Sequence, residues 1–141
     1  MWLSFFVNSL LIIIIVLIHY ETLRQLSIVI PRLSILPRLR ILVGIIGALC
    51  GHVAEIWVFG LAYYWISDVG ELGSLQGNWD GTLLDSVYFS FSCYTSLGFG
   101  DIEPIGHLRF LAGLEALVGL VLISWTASFL FLEMTRYWRE K

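Results

Sequence analysis

Three stretches nearly free of charge constrain this chain more than any other feature. Residues 2–18, 41–66 and 108–132 are long apolar runs. Each is close to the roughly 17 to 25 residues that a membrane-spanning helix needs. The remaining residues cannot cover so much apolar surface in water. Only 13% of the 141 residues are charged, against about a quarter in an ordinary soluble domain, and the mean hydropathy is +0.85. The expected fold class is therefore an all-α membrane protein with three transmembrane helices per chain.

The first run, within residues 1–20, has Ser4, Asn8 and Ser9 as its polar members. A secretory signal would want a basic start and a small-residue cleavage site. No Lys or Arg precedes Arg24, and His19, Tyr20 and Glu21 follow the run, so a retained helix is expected. Residues 21–40 change in texture, with Arg24, Arg32, Arg38 and Arg40 punctuated by Pro31 and Pro37. Leu33, Leu36 and Leu39 recur every third residue, which suits a short interfacial helix lying on the membrane. A plain basic linker is the alternative. The second run, 41–66, contains Gly47 and Gly51 as a G-x-x-x-G pair, a pattern that lets helix backbones approach closely. His52 and Glu55, three residues apart, share one helix face. Cys50 and Cys93 fall in apolar stretches and read as small buried hydrophobes.

Residues 67–82 are rich in Gly, Ser, Asn and Asp. Trp57, Trp65 and Trp79, with Tyr63 and Tyr64, lie near this end and suit an interfacial aromatic belt. Residues 82–94 are apolar but too short to span, with Asp80 or Gly81 as the expected N-cap. A short helix at membrane depth, followed by irregular backbone, reads as a re-entrant element lining protein or a wet cavity. The irregular stretch is Thr95-Ser96-Leu97-Gly98-Phe99-Gly100-Asp101. Alternating glycines permit positive φ, where a Cβ would be penalised. A backbone alternating in handedness can turn successive carbonyls the same way, and rings of carbonyls replace the hydration shell of a monovalent cation.

This heptapeptide resembles the selectivity filter of tetrameric potassium channels, whose pattern is Thr-Thr/Ser-Val/Ile/Leu-Gly-Tyr/Phe-Gly-Asp. The resemblance covers residues 41–135 and implies an outer helix (41–66), a pore helix (82–94), a filter (95–101) and an inner helix (108–132). It implies that Thr95, Ser96, Leu97, Gly98, Phe99 and Gly100 form the ion path, with K+ held at Ser96, Leu97, Gly98 and Phe99 and with Asp101 at the outer mouth. It further implies a homotetramer in the lipid bilayer, potassium as permeant ion and no cofactor. Phe99 lacks the phenol hydroxyl that commonly braces this filter. The pore helix offers Ser90, Ser92 and Cys93 in place of the carboxylate that pairs with Asp101 in some relatives. Glu115 is the expected substitute, joined by Glu55 and His52 in one polar network behind the filter. That network has either a gating role, with His52 sensing pH, or a structural one. Gly119 matches the family's hinge glycine, and close helix packing is its other reading. Ser124, Thr126 and Ser128 are candidates for the cavity wall.

Charge asymmetry gives an orientation. Arg24, Arg32, Arg38, Arg40, Arg136, Arg139 and Lys141 lie in the 21–40 linker and the 136–141 tail, while Arg109 faces six carboxylates between residues 67 and 109. Positive-inside counting puts linker and tail in the cytoplasm and the N-terminus outside, in the plasma membrane. No basic patch suggests nucleic acid, and no nucleotide motif or catalytic triad suggests an enzyme. A weakly selective monovalent cation channel and a non-conducting membrane subunit that docks a partner are the two alternatives.

Overall fold

The structure, a computed structural model, describes residues 2–138. Met1 and residues 139–141, which include Arg139 and Lys141 of the expected basic tail, lie outside it. The described chain is built from α1 (Trp2–Arg32), α2 (Pro37–Val69), α3 (Leu83–Tyr94) and α4 (Leu108–Trp138). Strands β1 (Leu75–Gly77) and β2 (Ile102–Pro104) form a small antiparallel pair. α1, α2 and α4 are each long and apolar enough to cross a membrane. The chain is thus an all-α membrane protein in which the pair of strands serves as a clasp.

The basic stretch 21–40 is not a separate element. α1 runs through it to Arg32, and α2 starts at Pro37. Pro31 sits in the last turn of α1, so the hydrogen bond it removes is one of the last that the helix has. Pro37 stands at the start of α2, where its missing N–H costs nothing. The two prolines therefore bound a short corner. The three long helices also outrun their expected limits, because polar residues at the ends complete the helical turns that the apolar core begins, whereas α3 keeps within the expected 82–94. α2 stops where Gly70 takes the left-handed conformation (φ 74°) and returns its N–H to the Ile66 carbonyl at 3.0 Å.

α1 packs antiparallel along α2, and small residues set the register. A Cβ on Gly44 would meet Ile30 at 3.2 Å, and one on Gly51 would meet Thr22 at 2.7 Å. Gly47, between them, faces Leu26. The G-x-x-x-G pair is therefore the seat of α1. The next step of the same register sets His19 opposite Glu55. Gly60 plays the corresponding part toward α3, where a Cβ would lie 2.6 Å from the Val87 side chain. The core unites Ile15, Phe59, Tyr63, Val87, Phe89, Tyr94, Leu108, Leu111 and Leu122. Tyr63 is wholly buried, edge-on to Phe89 at 4.9 Å, so it belongs to this core rather than to an interfacial belt. Cys50 is exposed and Cys93 half-buried, both as free thiols. The expectation of two buried cysteines fails because Cys50 lies on the outward side of α2.

Candidate functional site

The N-cap of α3 is Thr82, not Asp80 or Gly81. The Thr82 side chain accepts a hydrogen bond from the Asp85 N–H at 3.1 Å, satisfying one of the orphan donors of the first turn. Asp85 in turn accepts from the Asp80 N–H, and the Thr82 hydrogen bond helps hold its carboxyl below the usual carboxylate range. α3 ends at Tyr94, and its C-terminal partial negative charge lies at the start of the heptapeptide.

Positive φ recurs at every second residue of that heptapeptide: Ser96 (57°), Gly98 (57°) and Gly100 (78°). The two glycines were expected. Ser96 is the one non-glycine residue with positive φ among the described residues, a conformation that persists only when its surroundings enforce it. They do so through α3. Ser96 N–H donates to the Cys93 carbonyl at 2.9 Å, and Leu97 and Gly98 donate to the Ser92 carbonyl at 2.9 and 3.2 Å. Phe99 N–H donates to the Ser92 hydroxyl at 3.2 Å. One serine thus grips three successive residues of the loop. The other side of the loop is bare: residues 95–100 are all exposed, and nothing lies within 4 Å of a Cβ placed on Gly98 or Gly100.

The outer end of the loop is held by Tyr88, a residue that sequence reasoning passed over. Its hydroxyl donates to Asp101 Oδ2 at 2.9 Å, and its ring stacks on Phe99 at 6.1 Å with 4° between planes. The hydrogen bond to Asp101 also raises the Tyr88 phenol above its usual range. A phenol one helical turn before Ser92 thereby supplies the brace that Phe99 lacks. The clasp adds to it, since Asn78 N–H donates to the Asp101 carbonyl at 2.8 Å.

Behind α3 lie two buried carboxyl groups, not one network. Tyr63 donates to Glu115 Oε2 at 2.6 Å, and Ser90 Oγ lies 2.6 Å from Glu115 Oε1 and 2.9 Å from the Ile56 carbonyl. Glu115 thus anchors the middle of α3 to α2 and α4, and its hydrogen bonds among the described residues go to Tyr63 and Ser90 rather than to the heptapeptide. Glu55 belongs to a second cluster. His19 Nδ1 lies 2.9 Å from its Oε1, His52 Nδ1 lies 3.2 Å from its Oε2, and Tyr94 donates to the same Oε2. His52 Nε2 reaches Thr126 Oγ1 at 2.9 Å. Thr126 lies about 16 Å along α4 from Glu115 by the helical rise, which is why one network becomes two. Thr126 is buried in the second cluster, where it also lines the groove beside His52. Ser124 and Ser128 are exposed and donate to the carbonyls of Leu120 and Ser124. Gly119 presses on the end of α3, where a Cβ would fall on the Tyr94 carbonyl.

Residues 51–136 match the ion-channel family, and this match spans most of the described fold from mid-α2 onward. The chain belongs to the ion-channel family. Within it, this chain is 32% identical over 80 residues to the inward rectifier potassium channel Kirbac3.1 of Paramagnetospirillum magnetotacticum. That stretch covers 56% of this chain and 25% of the relative. It is also 41% identical over 49 residues to Protein LctB of Geobacillus stearothermophilus, covering 35% of this chain and 37% of that protein. The chain thus spans between a quarter and two fifths of the length of these curated relatives. No solved structure matches it significantly. The whole of α1, including His19, lies outside the family match, which begins at Gly51.

Proposed function

We propose that this channel passes potassium selectively and passively, through a filter that four identical chains build from backbone carbonyls. The observation that carries this reading is the alternation of positive φ at Ser96, Gly98 and Gly100 in a loop gripped by a short helix. Alternating handedness is what turns successive carbonyls toward one axis, and a ring of such carbonyls stands in for water around a dehydrated cation. One chain supplies one arc of each ring. The exposed stripe Leu84, Tyr88 and Phe91 on α3 and the bare side of residues 95–100 fit contact with neighbouring copies. In this reading K+ rests at Ser96, Leu97, Gly98 and Phe99, Asp101 concentrates cations at the outer mouth, and no cofactor takes part. The chain sits in the plasma membrane with its N-terminus outside and the 21–40 segment in the cytoplasm, as the arginine distribution favours.

Purified channel in liposomes tests this. Under a potassium–sodium gradient the reversal potential is expected near the potassium limit, and barium is expected to block the flux. A reversal potential near zero would make the protein a weakly selective cation channel. Tetramers without any flux would make it a non-conducting subunit.

A further inference from the structure

Two of the chain's three histidines meet at one carboxylate. One donor atom from each of His19, His52 and Glu55 lies within 4.8 Å of the other two. The Nδ1 atoms of both imidazoles face Glu55, at 2.9 and 3.2 Å from its oxygens. Donors around a tetrahedral zinc ion, with bonds of roughly 2.0–2.1 Å, stand about 3.3 Å apart. The cluster is therefore near the spacing that a small divalent ion requires. Tyr94 brings a further oxygen, its hydroxyl lying 2.8 Å from His52 Nδ1.

The outward nitrogens are equally organised. His52 Nε2 lies 2.9 Å from Thr126 Oγ1, and His19 Nε2 lies 3.5 Å from the same atom. A hydroxyl oxygen has two acceptor lone pairs, so Thr126 can receive both Nε2–H groups. With an ion taking the place of the Nδ1 protons that face Glu55, that arrangement would free both Nδ1 lone pairs to ligate. Metal-bound histidines almost always make such a bond with their other nitrogen, which fixes tautomer and ring orientation. His19 and Glu55 are almost wholly buried, whereas the His52 side chain is 13% exposed. His52 borders an open-sided groove of about 410 Å³ between Val53, Tyr94 and Leu130, which leaves its imidazole reachable.

We propose that His19, His52 and Glu55, with the Tyr94 hydroxyl oxygen as fourth donor, form a site for a first-row divalent metal ion of the zinc type. Two imidazoles and a carboxylate suit zinc and its neighbours, whereas magnesium and calcium prefer all-oxygen sites. The ligands come from α1, α2 and the last residue of α3, and Thr126 adds α4. A bound ion would therefore tie every helix of the chain together just below the filter loop. His19 comes from α1, which the family match does not include, so the site is a property of this chain rather than of the shared pore unit.

The test uses the full, tag-free chain in nanodiscs, with Zn2+ as the probe. One Zn2+ per chain is expected to bind, and X-ray absorption at the zinc edge is expected to show two imidazoles and oxygen donors. His19→Ala and His52→Ala are expected to lose this stoichiometric ion, and His107→Ala to keep it. Thr126→Val should weaken binding about 10–100-fold, the usual cost of losing a partner behind the ligands. No stoichiometric zinc, fewer than two imidazoles, sulfur in the coordination shell, or binding that survives both histidine variants would each overturn the proposal. Should the histidine variants fail to assemble, the absorption spectrum of the unaltered chain decides alone. Binding is read without ion flux, so the result does not depend on whether the filter selects potassium.

Discussion

Glu55 and Glu115 are both fully buried within one helix bundle, and their surroundings differ in kind. Glu115 faces two hydroxyls, those of Tyr63 and Ser90, which can only donate or accept in place. Glu55 faces a phenol of the same kind and two imidazoles, whose ring nitrogens can each donate or accept according to tautomer. The first arrangement fastens the middle of α3 to α2 and α4. The second stands at the end of α3, against the residue that precedes the loop 95–101. A buried carboxyl group can thus serve as a fixed peg or as an adjustable one, and its partners decide which.

The most severe way to break this contrast is to move α3 away from α4 altogether. Gly119→Ala places a methyl on the Tyr94 carbonyl, where no flexible side chain can yield. The expected loss is about 3 kcal/mol, at the upper end for overpacking, read as a drop in thermal stability together with lost flux. A variant with full stability and altered open probability would instead favour a hinge. Next in size is Glu115→Ala, which strands the buried Tyr63 hydroxyl at about 1–3 kcal/mol, while Ser90 keeps the Ile56 carbonyl. Glu115→Gln keeps an acceptor and should cost about 1 kcal/mol. Unfolding curves of the two variants separate the loss of a partner from the loss of a charge.

A smaller effect tests the adjustable peg. Liposome flux measured against pH is expected to change its profile in His52→Ala and to keep it in Glu115→Gln. Unaltered current and pH response in both would reduce the two clusters to structural supports. The smallest change is at the start of α3. Thr82→Ala removes the cap at a cost of about 1 kcal/mol. Because Asp85 is held below its usual range in the folded chain, its contribution is complete above the ordinary carboxylate pKa. That contribution disappears as pH falls through the lowered value. The difference in stability between Thr82→Ala and the parent chain should therefore narrow in acid, as thermal melts at neutral and acid pH will show.

Some of the candidate site was legible before any coordinates. The glycines at 98 and 100 announced positive φ because the lack of a Cβ is a property of the residue itself. His52 and Glu55 were paired by helical spacing, and the structure brings them together. Ser96, Tyr88 and His19 were not legible. Ser96 adopts positive φ because Cys93 and Ser92 hold the loop around it, and nothing in a serine signals that. Tyr88 looked like one more aromatic in an apolar helix. His19 sits 36 residues from Glu55, and no local pattern links them.

The sequence by itself determined what depends on composition and near neighbours: three spanning helices, a short re-entrant helix, and a glycine-permitted loop after it. Hydropathy and φ preference act over a few residues, so they can be read along a line. Tertiary structure alone decided which polar groups meet across helices. It divided the expected single network into a Glu115 peg and a Glu55 cluster, gave Asp101 to Tyr88, and assigned Gly119 to the back of Tyr94. Those outcomes rest on helix register, which the small residues at 44, 47, 51 and 60 set by letting backbones approach. A shift of one turn, about 5.4 Å, would leave His19 without its carboxylate.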